Sequence, residues 1–310
     1  MYINMKKEIK KIRKFITDKN YRILVEARHG LYDKLSDREF LERCFPACLG
    51  YNLNLESPQT FNEKIQWLKL YDRKDEYSLF VDKCEAKKIV EKKIGSKYII
   101  PTIGVWDDPD DIDFDAMPSQ FVLKCNHNSG VGMCICKDKN LINKRKVKAN
   151  LRKGLRQDYY ITAREWPYKN VKRKVLAEQY MVDESGLELK DYKIFCFNGE
   201  PKYIQVDFGR FTKHERNLYD VAWKYMGFAS LYPTNENHEI PKPICLGEML
   251  EIARTLSKGT PFMRVDLYVI GKDIYFGEMT LHHGSGFEPF SPFEWDKKLG
   301  DLINLEGIIK

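Results

Sequence analysis

The segment from Pro261 to Gly286 restricts the possible folds of this chain more than any other stretch of the sequence. Two runs of β-branched and aromatic residues flank Gly271-Lys272-Asp273, a short connection that contains glycine. Such a pattern predicts an antiparallel β-hairpin with a three-residue turn. If Ile270 lies opposite Ile274, the register of the whole hairpin follows from that one pair.

This register places two acidic residues face to face. Asp266 lies opposite Glu278, and Arg264 lies opposite Thr280. Two carboxylates directly opposite each other repel, so sheet packing alone gives no reason for this pair. A hard divalent cation with oxygen ligands would convert the repulsion into coordination. The alternative is an exposed hairpin face that carries two solvated acids beside an arginine.

The rest of the chain mixes helices with strands and hairpins. Capping boxes at Ser36–Glu39 and Thr60–Glu63 predict helix starts in a helical first hundred residues. Asn198-Gly199 is a strong signal for a two-residue hairpin turn. Helices are predicted at 79–94, 143–158 and 246–257, strands at 98–105, 120–125, 133–138 and 173–181, and a hairpin at 191–208. Hairpins interspersed with helices indicate an α+β fold rather than one parallel sheet.

Length, composition and charge limit the classes of function. The chain has 310 residues, of which 43% are hydrophobic and 31% charged, so it is an ordinary globular protein with room for two or three lobes. Its formal net charge of +7 is modest for this length. The excess suits an anionic ligand such as a nucleotide or an acidic glycan, and we expect no nucleic-acid partner.

Eight cysteines occur without the paired spacing of a zinc site. We therefore expect reduced thiols and a cytoplasmic protein. Cys134-Ile135-Cys136 is interpreted as part of a core strand, and half of a metal site is the alternative.

The N-terminal residues are typical of a basic amphipathic helix. Six basic residues between positions 6 and 14 are interleaved with Ile9, Ile12 and Phe15 at helical spacing. No apolar run approaches the length of a membrane span. The helix either packs on its own protein with a solvated basic face, or rests weakly on an anionic membrane as a peripheral contact at the inner face.

A strand, a glycine-containing loop and a second strand are predicted within residues 121–136. Lys124 lies near the end of the first strand, and Ser129, Gly130 and Gly132 lie in the loop. Glycine allows backbone N–H groups to approach a phosphate closely. The spacing is not that of a P-loop, and a strand follows instead of a helix. The alternative to a phosphate-binding lid is an ordinary hairpin loop.

Two further strands carry side chains that suit a nucleotide. Glu178 stands at the end of an apolar strand, where it could accept from the amino group of a purine. Asp191 and Lys193 are two residues apart and therefore share one face of a strand. A carboxylate suits ribose hydroxyls and a cation suits phosphates, although solvated strand positions are the alternative in both cases.

An acidic loop at residues 107–115 contains six aspartates and an Asp-x-Asp pattern. In glycosyltransferases such a pattern can hold a metal and a sugar nucleotide. The other interpretation is a solvated loop rich in turns.

The order of these features along the chain resembles the ATP-grasp superfamily. Within it, three segments are similar to the TupA-like branch, which is named after teichuronopeptide synthesis and is associated with surface-polysaccharide synthesis. They are FNEKIQWLKLYD at 61–72, DYKIFCFNGEPKY at 191–203 and YFGEMT at 275–280, and the resemblance covers roughly residues 50–300.

The resemblance implies an ATP-grasp fold, in which two α+β lobes grip ATP, with a mainly helical N-terminal region. The implied divisions are an N-terminal helical region at 1–60, a region that precedes the ATP-grasp lobes at 61–120, a lobe with the lid loop at 121–181, and a lobe with the metal-binding hairpin at 182–310.

The resemblance also implies which residues bind the nucleotide. They are Lys124 for the α- and β-phosphates, Ser129, Gly130 and Gly132 for the lid, Glu178, Gln179, Tyr180 and Met181 for adenine, Asp191 for the ribose, and Lys193 for the phosphates.

The hairpin residues are implied to serve the metal and the transferred group. Asp266 and Glu278 would hold Mg²⁺ on the phosphates, and Arg264 would stabilise the charge of the transferred phosphoryl group. The superfamily usually has Asn two positions after the second acid, where this chain has Thr280, whose hydroxyl can still ligate or orient a water. His283, on the acceptor-side loop, is a candidate base or carboxylate ligand.

These roles suit carboxylate activation. We expect an enzyme that uses ATP and Mg²⁺ to join a carboxylate to an amine through an acyl phosphate, with a sugar acid of a cell-surface glycan as the carboxylate and an amino acid or amino sugar as the amine. A kinase that phosphorylates a sugar hydroxyl is an alternative, because the same nucleotide apparatus serves it. A glycosyltransferase that uses the 107–115 loop and a nucleotide-free scaffold are the others.

Overall fold

The computed structural model describes residues 2–183, 189–209 and 213–308, with side chains from residue 9 onward. The first hundred residues are mainly helical, as predicted, and both capping boxes are present, with Ser36 and Thr60 as the capping residues. The helices of this region are α1 (Tyr2–Thr17), α2 (Lys19–Arg28), α3 (Asp37–Leu49), α4 (Phe61–Tyr71), α5 (Tyr77–Val81) and α6 (Lys83–Ile94).

The single helix predicted at 79–94 is wrong in one respect, because Asp82 divides it into α5 and α6. The backbone of Asp82 is extended, and its side chain accepts from the backbone N–H groups of Cys84 and Glu85. An aspartate in this position caps a new helix more favourably than it continues an old one. The interruption makes Lys83 the first residue of α6.

A four-stranded antiparallel sheet follows the helical region. Its strands are β1 (Thr102–Trp106), β2 (Phe121–Cys125), β3 (Cys134–Cys136) and β4 (Val175–Gln179), in the order β1-β4-β2-β3. Two helices, α7 (Lys144–Arg156) and α8 (Tyr159–Ala163), lie between β3 and β4 in the sequence. Leu151 of α7 packs with strand residues such as Leu123 and Val175 in a compact core of this lobe.

A five-stranded antiparallel sheet forms most of the remaining chain. Its strands are β5 (Asp191–Phe197), β6 (Glu200–Phe208), β7 (Glu215–Asp220), β9 (Phe262–Ile270) and β10 (Asp273–Thr280), in the order β10-β9-β5-β6-β7. The predicted turn between β5 and β6 is confirmed, since Asn198 and Gly199 both have positive φ values, 51° and 83°. The short strands β8 (Ala229–Ser230) and β11 (Phe290–Ser291) pair with each other, and α9 (Leu246–Ser257) and α10 (Glu294–Asp301) complete the α+β fold.

The two faces of the five-stranded sheet have different characters. One face is apolar and contributes residues such as Ile194 and Val265 to the largest core, together with α6 and α9. On the other face, Phe195 and Phe262 form an apolar half with residues of α4 and α10. The remaining half of that face carries charged side chains, and we call it the polar half-face.

The N-terminal helix leaves its apolar stripe uncovered in the described part of the chain. Ile9, Ile12 and Ile16 are 56%, 60% and 67% exposed. Phe15 is the apolar side chain of α1 that is half-buried. Of the two interpretations of this helix, close packing of its apolar stripe on the protein is wrong. Among the described residues, no helix has the length and apolar character required to cross a bilayer.

The acidic loop at 107–115 is neutralised by the basic helix α7. Asp115 lies 2.7 Å from Lys144, and Asp110 pairs with Arg152 and lies 3.5 Å from Lys148. Exposed aspartates that each have a lysine or arginine partner match a solvated loop better than a metal site. All eight cysteines are free thiols.

Candidate active site

The predicted pairing of the two hairpin acids is confirmed, although the predicted turn is wrong. Glu278 lies opposite Asp266 in the ladder between β9 and β10. Ile270 pairs with Asp273 instead of Ile274, so the turn has two residues rather than three. A β-bulge farther along β10 shifts the register by one residue and restores the expected pairing of the acids.

The bulge lies at Gly277. A Cβ atom there would lie 3.0 Å from the backbone oxygen of Asp266 and 3.1 Å from the ring of Tyr268, closer than side chains normally approach. Without the bulge, Glu278 would lie opposite Val265 and therefore on the apolar face of the sheet. The extra residue turns Glu278 onto the polar half-face beside Asp266.

Two cations lie between the acids of the polar half-face. Arg264 Nε lies 2.6 Å from Asp266 Oδ1, and Arg264 Nη2 lies 2.7 Å from Glu278 Oε1. Lys193 Nζ lies 2.7 Å from Asp266 Oδ2 and also donates to Asp191. The repulsion inferred from the sequence is therefore relieved in this state by Arg264 and Lys193, with three carboxylates against two cations.

The ionisation of these groups follows from their mutual contacts. Burial alone would raise the pKa of the Glu278 carboxyl, but the charges of Arg264, Lys83 and Lys193 outweigh burial and lower it. Burial alone would lower the pKa of Lys193, but the carboxylates of Asp191 and Asp266 outweigh it and raise the pKa. All of these side chains are therefore charged near neutral pH, and the group carries one net negative charge.

The polar half-face has the donor set of a magnesium site that shares its ion with phosphates. Asp266 and Glu278 supply carboxylate oxygens, and the Thr280 hydroxyl donates to Glu278 Oε1 at 3.1 Å. Among the described residues, no group of three or more His, Cys, Asp or Glu side chains is arranged to hold a metal by itself. Mg²⁺ is commonly bound by one or two carboxylates together with substrate phosphates, so these residues fit that ion.

Lys124 and Glu178 contact each other across the four-stranded sheet. Glu178 is buried, pairs with Lys124, and accepts from Lys87 at 2.5 Å. Burial would raise the pKa of the Glu178 carboxyl, but the charges of Lys124 and Lys87 lower it. In this state Glu178 positions two lysines, and its role in reading adenine stays a prediction.

Lys83 connects α6 to the glycine-containing loop. Its Nζ donates to the backbone oxygen of Asn128 at 2.6 Å. Burial lowers the pKa of Lys83, and the charge of Glu278 partly offsets the effect while that of Lys124 adds to it. Lys83 is therefore close to residues of both sheets, and with Lys87 and Lys124 it makes the space between them suitable for an anion.

The loop between β2 and β3 has a fixed base and an exposed tip. Gly132 has φ 75°, and a Cβ on it would lie 2.8 Å from Cys125 Sγ and 2.9 Å from the Cα of Gly154. Gly130 has φ 79°, is exposed with Ser129, and a Cβ on it would meet nothing within 4 Å. Gly132 anchors the loop on α7, and the tip at Ser129 and Gly130 is the part that is free to meet a ligand.

The segment expected to read adenine begins at the end of β4. The backbone N–H of Gln179 donates to the Pro101 carbonyl at 3.0 Å. Contacts of this backbone with a purine would therefore come from Tyr180 and Met181, which follow the strand.

His283 contacts Arg264 on the polar half-face. Arg264 Nη1 lies 2.9 Å from His283 Nδ1, and because a guanidinium can only donate, Nδ1 accepts and the imidazole is neutral. Burial lowers the pKa of His283 well below its usual value, and the charge of Arg264 lowers it further. Since Nδ1 is engaged, the geometry gives His283 the role of orienting Arg264 rather than that of a base.

The loop that carries His283 is held by buried polar residues that the sequence analysis did not select. Gly284, Ser285 and Gly286 have φ values of 54°, 53° and 63°. The carbonyl of Ser285 accepts from Lys69 at 2.6 Å and from Gln66 at 3.1 Å. Its hydroxyl donates to Glu165 at 2.6 Å.

The available signal for this network was the spacing within FNEKIQWLKLYD. Asn62, Gln66 and Lys69 lie four and three residues apart and so share one face of α4. All three are buried. Polar residues that share a face in an otherwise apolar helix predict buried hydrogen-bond partners, here the backbone of residues 285–288. Glu165 and Lys87 had no comparable signal, because their partners are distant in the sequence.

Comparison with known proteins gives a family and several structural similarities. The model of the family described as TupA-like ATPgrasp matches residues 63–304. The D-alanine–D-alanine ligase from Helicobacter pylori is similar in structure at 16% identity, with 79% of this chain and 69% of that chain covered and a TM-score of 0.41. No curated protein matches the sequence.

Two further solved structures are similar. The D-alanine–D-alanine ligase from Bacillus anthracis complexed with ATP has 16% identity, with 66% of this chain and 54% of that chain covered and a TM-score of 0.39. The D-cycloserine synthetase DcsG has 15% identity, coverage of 66% and 62%, and a TM-score of 0.37. The chain thus spans just over half the length of the Bacillus anthracis ligase.

Proposed function

Because the chain belongs to the TupA-like ATP-grasp family, we propose that it is an ATP-dependent carboxylate–amine ligase that forms an amide through an acyl phosphate. The carboxylate is a sugar acid of a cell-surface glycan, and the amine is an amino acid or an amino sugar. The glycan part of this proposal depends on the resemblance to the teichuronopeptide branch alone.

The observation that carries the ligase proposal is the pairing of Asp266 with Glu278 beside Arg264 and Lys193 on one face of the sheet. Carboxylate oxygens for a cation and two positive side chains within 3 Å of them are the groups required around a phosphoryl group in transfer. Lys83, Lys87 and Lys124 supply further positive charge between the two sheets.

The residues would divide the reaction as follows. Lys124 and Lys193 bind the phosphates of ATP, and Asp266 with Glu278 would hold Mg²⁺, which offsets phosphate charge when bound. A carboxylate oxygen of the acceptor attacks the γ-phosphorus, the bond from phosphorus to the β,γ-bridging oxygen breaks, and ADP leaves. Arg264, oriented by His283, stabilises charge on the transferred phosphoryl oxygens.

Amide formation follows from the acyl phosphate. The ammonium of the second substrate loses a proton to water, and its nitrogen lone pair attacks the acyl carbon. The bond between that carbon and the phosphate oxygen breaks, and phosphate leaves with the electron pair and a second proton from nitrogen. The tip of the loop at Ser129 and Gly130 is suited to close over the site and exclude water from the acyl phosphate.

An ADP-release screen tests this proposal. Sugar acids are crossed with amines at saturating Mg·ATP, with Asp266→Ala as the blank. A ligase releases ADP and inorganic phosphate only when an acid and an amine are both present. A kinase leaves phosphate on the acceptor and needs no amine, and that result would replace the ligase by the phosphotransferase alternative. Activity that survives in Asp266→Ala would favour the glycosyltransferase alternative.

We also propose that α1 rests weakly on an anionic membrane surface from the cytoplasmic side. The exposed stripe of Ile9, Ile12 and Ile16 supports this, because flanking basic residues such as Lys10 and Arg13 lie on the same helix. An apolar stripe bordered by cations is the pattern of helices that lie in the plane of a membrane interface. One helix of this size provides reversible contact rather than stable anchoring.

A further inference from the structure

The polar half-face continues beyond the residues that have a nucleotide role. Lys193 of β5 pairs in register with Gln205 of β6, and Asp207 of β6 pairs with Arg216 of β7. These three residues and Glu288, which follows the loop of His283, form what we call the distal polar group. Nothing in the proposed binding of ATP or Mg²⁺ uses them.

A short series of contacts joins the distal polar group to Arg264. Arg264 contacts His283 at 2.9 Å, and His283 Nε2 lies 3.4 Å from Glu288 Oε2. The same Glu288 oxygen accepts from Arg216 Nη1 at 2.9 Å, and Arg216 Nε donates to Asp207 Oδ1 at 2.7 Å. One histidine therefore separates the group from the side chain that is placed at the transferred phosphoryl group.

The charge of the distal polar group favours a cationic ligand. Asp207 and Glu288 are opposed by the single guanidinium of Arg216, which leaves one negative charge. Arg216 Nη1 also donates to the carbonyl of Ser230 at 2.9 Å, so its donors are directed at protein groups. A carboxylate ligand would meet two carboxylates here, whereas an ammonium group would be attracted.

One buried atom of the group indicates the kind of hydrogen bond that a ligand must supply. Gln205 is fully buried, and among the described residues its Oε1 has no hydrogen-bond partner. Its Nε2 donates to Asp207 Oδ2 at 3.2 Å, which places the unpaired oxygen next to a carboxylate. An unpaired buried acceptor is costly, and acceptors side by side are satisfied by a group rich in N–H donors.

We propose that the distal polar group binds the ammonium form of the amine co-substrate, with Asp207 and Gln205 accepting its N–H donors and Glu288 at the rim of the site. A primary ammonium supplies three donors and one positive charge, which match the unpaired acceptor and the net charge of the group. Glu288 is 20% exposed, so it lies where an amine would enter. This inference rests on the proposed ligase function.

The test compares two nucleophiles in the full-length protein. D-Glucosamine and L-alanine carry a primary ammonium near neutral pH, whereas hydroxylamine is a small neutral nucleophile that intercepts acyl phosphates as hydroxamates. In Asp207→Asn, the KM for the primary amine is expected to rise about 10- to 100-fold, as the loss of a charge-assisted hydrogen bond predicts. The KM for hydroxylamine is expected to rise much less, and the KM for ATP to stay outside this increase.

Glu200→Gln is the matched control, because Glu200 is an exposed acid at the start of the same strand and pairs with Arg254. It is expected to leave all three KM values at their wild-type level. If Asp207→Asn does not fold, Glu288→Gln at the rim replaces it, with the same direction of change expected.

The outcomes separate the inference from the function on which it rests. Equal KM changes for the primary amine and for hydroxylamine, or no change for either, would overturn the ammonium site while the ligase function stands. A wild-type protein that forms neither amide nor hydroxamate with any acid of the panel would overturn the ligase function, and the ammonium site with it.

Discussion

Replacement of Lys69 by methionine tests whether the buried network beneath the acceptor-side loop is as charged as the structure indicates. Lys69 is 1% exposed and donates to the side-chain oxygen of Gln66 and to the carbonyls of Ala163 and Ser285 at 2.6–2.8 Å. Burial lowers its pKa from 10.5 to about 8, and the charge of Glu165 offsets part of the effect. The substitution removes the titrating group and retains most of the volume.

The sign and size of the effect follow from proton linkage. Between about pH 8 and 10.5, the unfolded chain holds a proton on Lys69 that the folded protein has released, so this group makes the free energy of unfolding rise with pH. Below pH 8 Lys69 is protonated in both states and adds no slope. At about 1.4 kcal/mol per pH unit, the full gain is about 3 kcal/mol, most of it reached by about pH 10.

The assay is urea unfolding of wild type and Lys69→Met, with a reductant present, from about pH 7 to about pH 10. Other groups titrate in this range, so the quantity of interest is the difference between the two proteins. That difference is expected to move in favour of wild type by about 2–3 kcal/mol. Lys88→Met, at an exposed position of α6, is the control and should stay parallel to wild type. Parallel curves for wild type and Lys69→Met would refute the reasoning.

Three further predictions concern the ligand site, the lid and the N-terminal helix. Mg·ATP should raise the Tm of wild type and of Asp273→Asn, an exposed acid of the same hairpin, but not that of Asp266→Asn. Gly132→Ala should destabilise the protein by more than Gly130→Ala in chemical unfolding, because both have positive φ at a cost of about 1 kcal/mol and only Gly132 also meets Cys125 and Gly154. Ile12→Glu should reduce cosedimentation with vesicles that contain phosphatidylglycerol.

Each of these predictions has a result that contradicts it. A Tm increase of equal size in Asp266→Asn would exclude its carboxylate from the metal site. Equal destabilisation by the two glycine substitutions would show that the base of the loop is not held by close packing. Ile244, which is 94% exposed and remote from α1 in the sequence, provides the vesicle control. If Ile244→Glu and Ile12→Glu behave alike, or if vesicles of phosphatidylcholine alone bind as well, the contact of α1 with an anionic membrane is wrong.

Local patterns in the sequence predicted those parts of the fold that depend on neighbouring residues. Helix α9, the turn at Asn198-Gly199 and both capping boxes lie where the patterns place them, because their determinants lie within a few residues. The opposition of Asp266 and Glu278 was predicted from a three-residue turn and an unbroken ladder. The structure reaches the same pairing through a two-residue turn and a bulge at Gly277.

Long-range burial was the part that the sequence could not supply. Lys69 and Glu165 are charged residues in the sequence, and only the packing of α4 and residues 163–165 against the loop at 283–286 makes them members of a buried network. Lys87 became part of the site because α6 places it 2.5 Å from Glu178, on a strand about ninety residues away. The helix break at Asp82 was missed because an aspartate can continue a helix as well as cap one.

The central claim is that this protein activates a carboxylate as an acyl phosphate, and trapping with hydroxylamine tests it most directly. Wild-type protein is incubated with Mg·ATP, a panel of sugar acids and hydroxylamine, and hydroxamate and ADP are both quantified, with Asp266→Ala as the blank. The account predicts hydroxamate and ADP in equal amounts for at least one acid and neither product from the blank. ADP release that is matched by a stable phosphorylated sugar, with no hydroxamate, would contradict it.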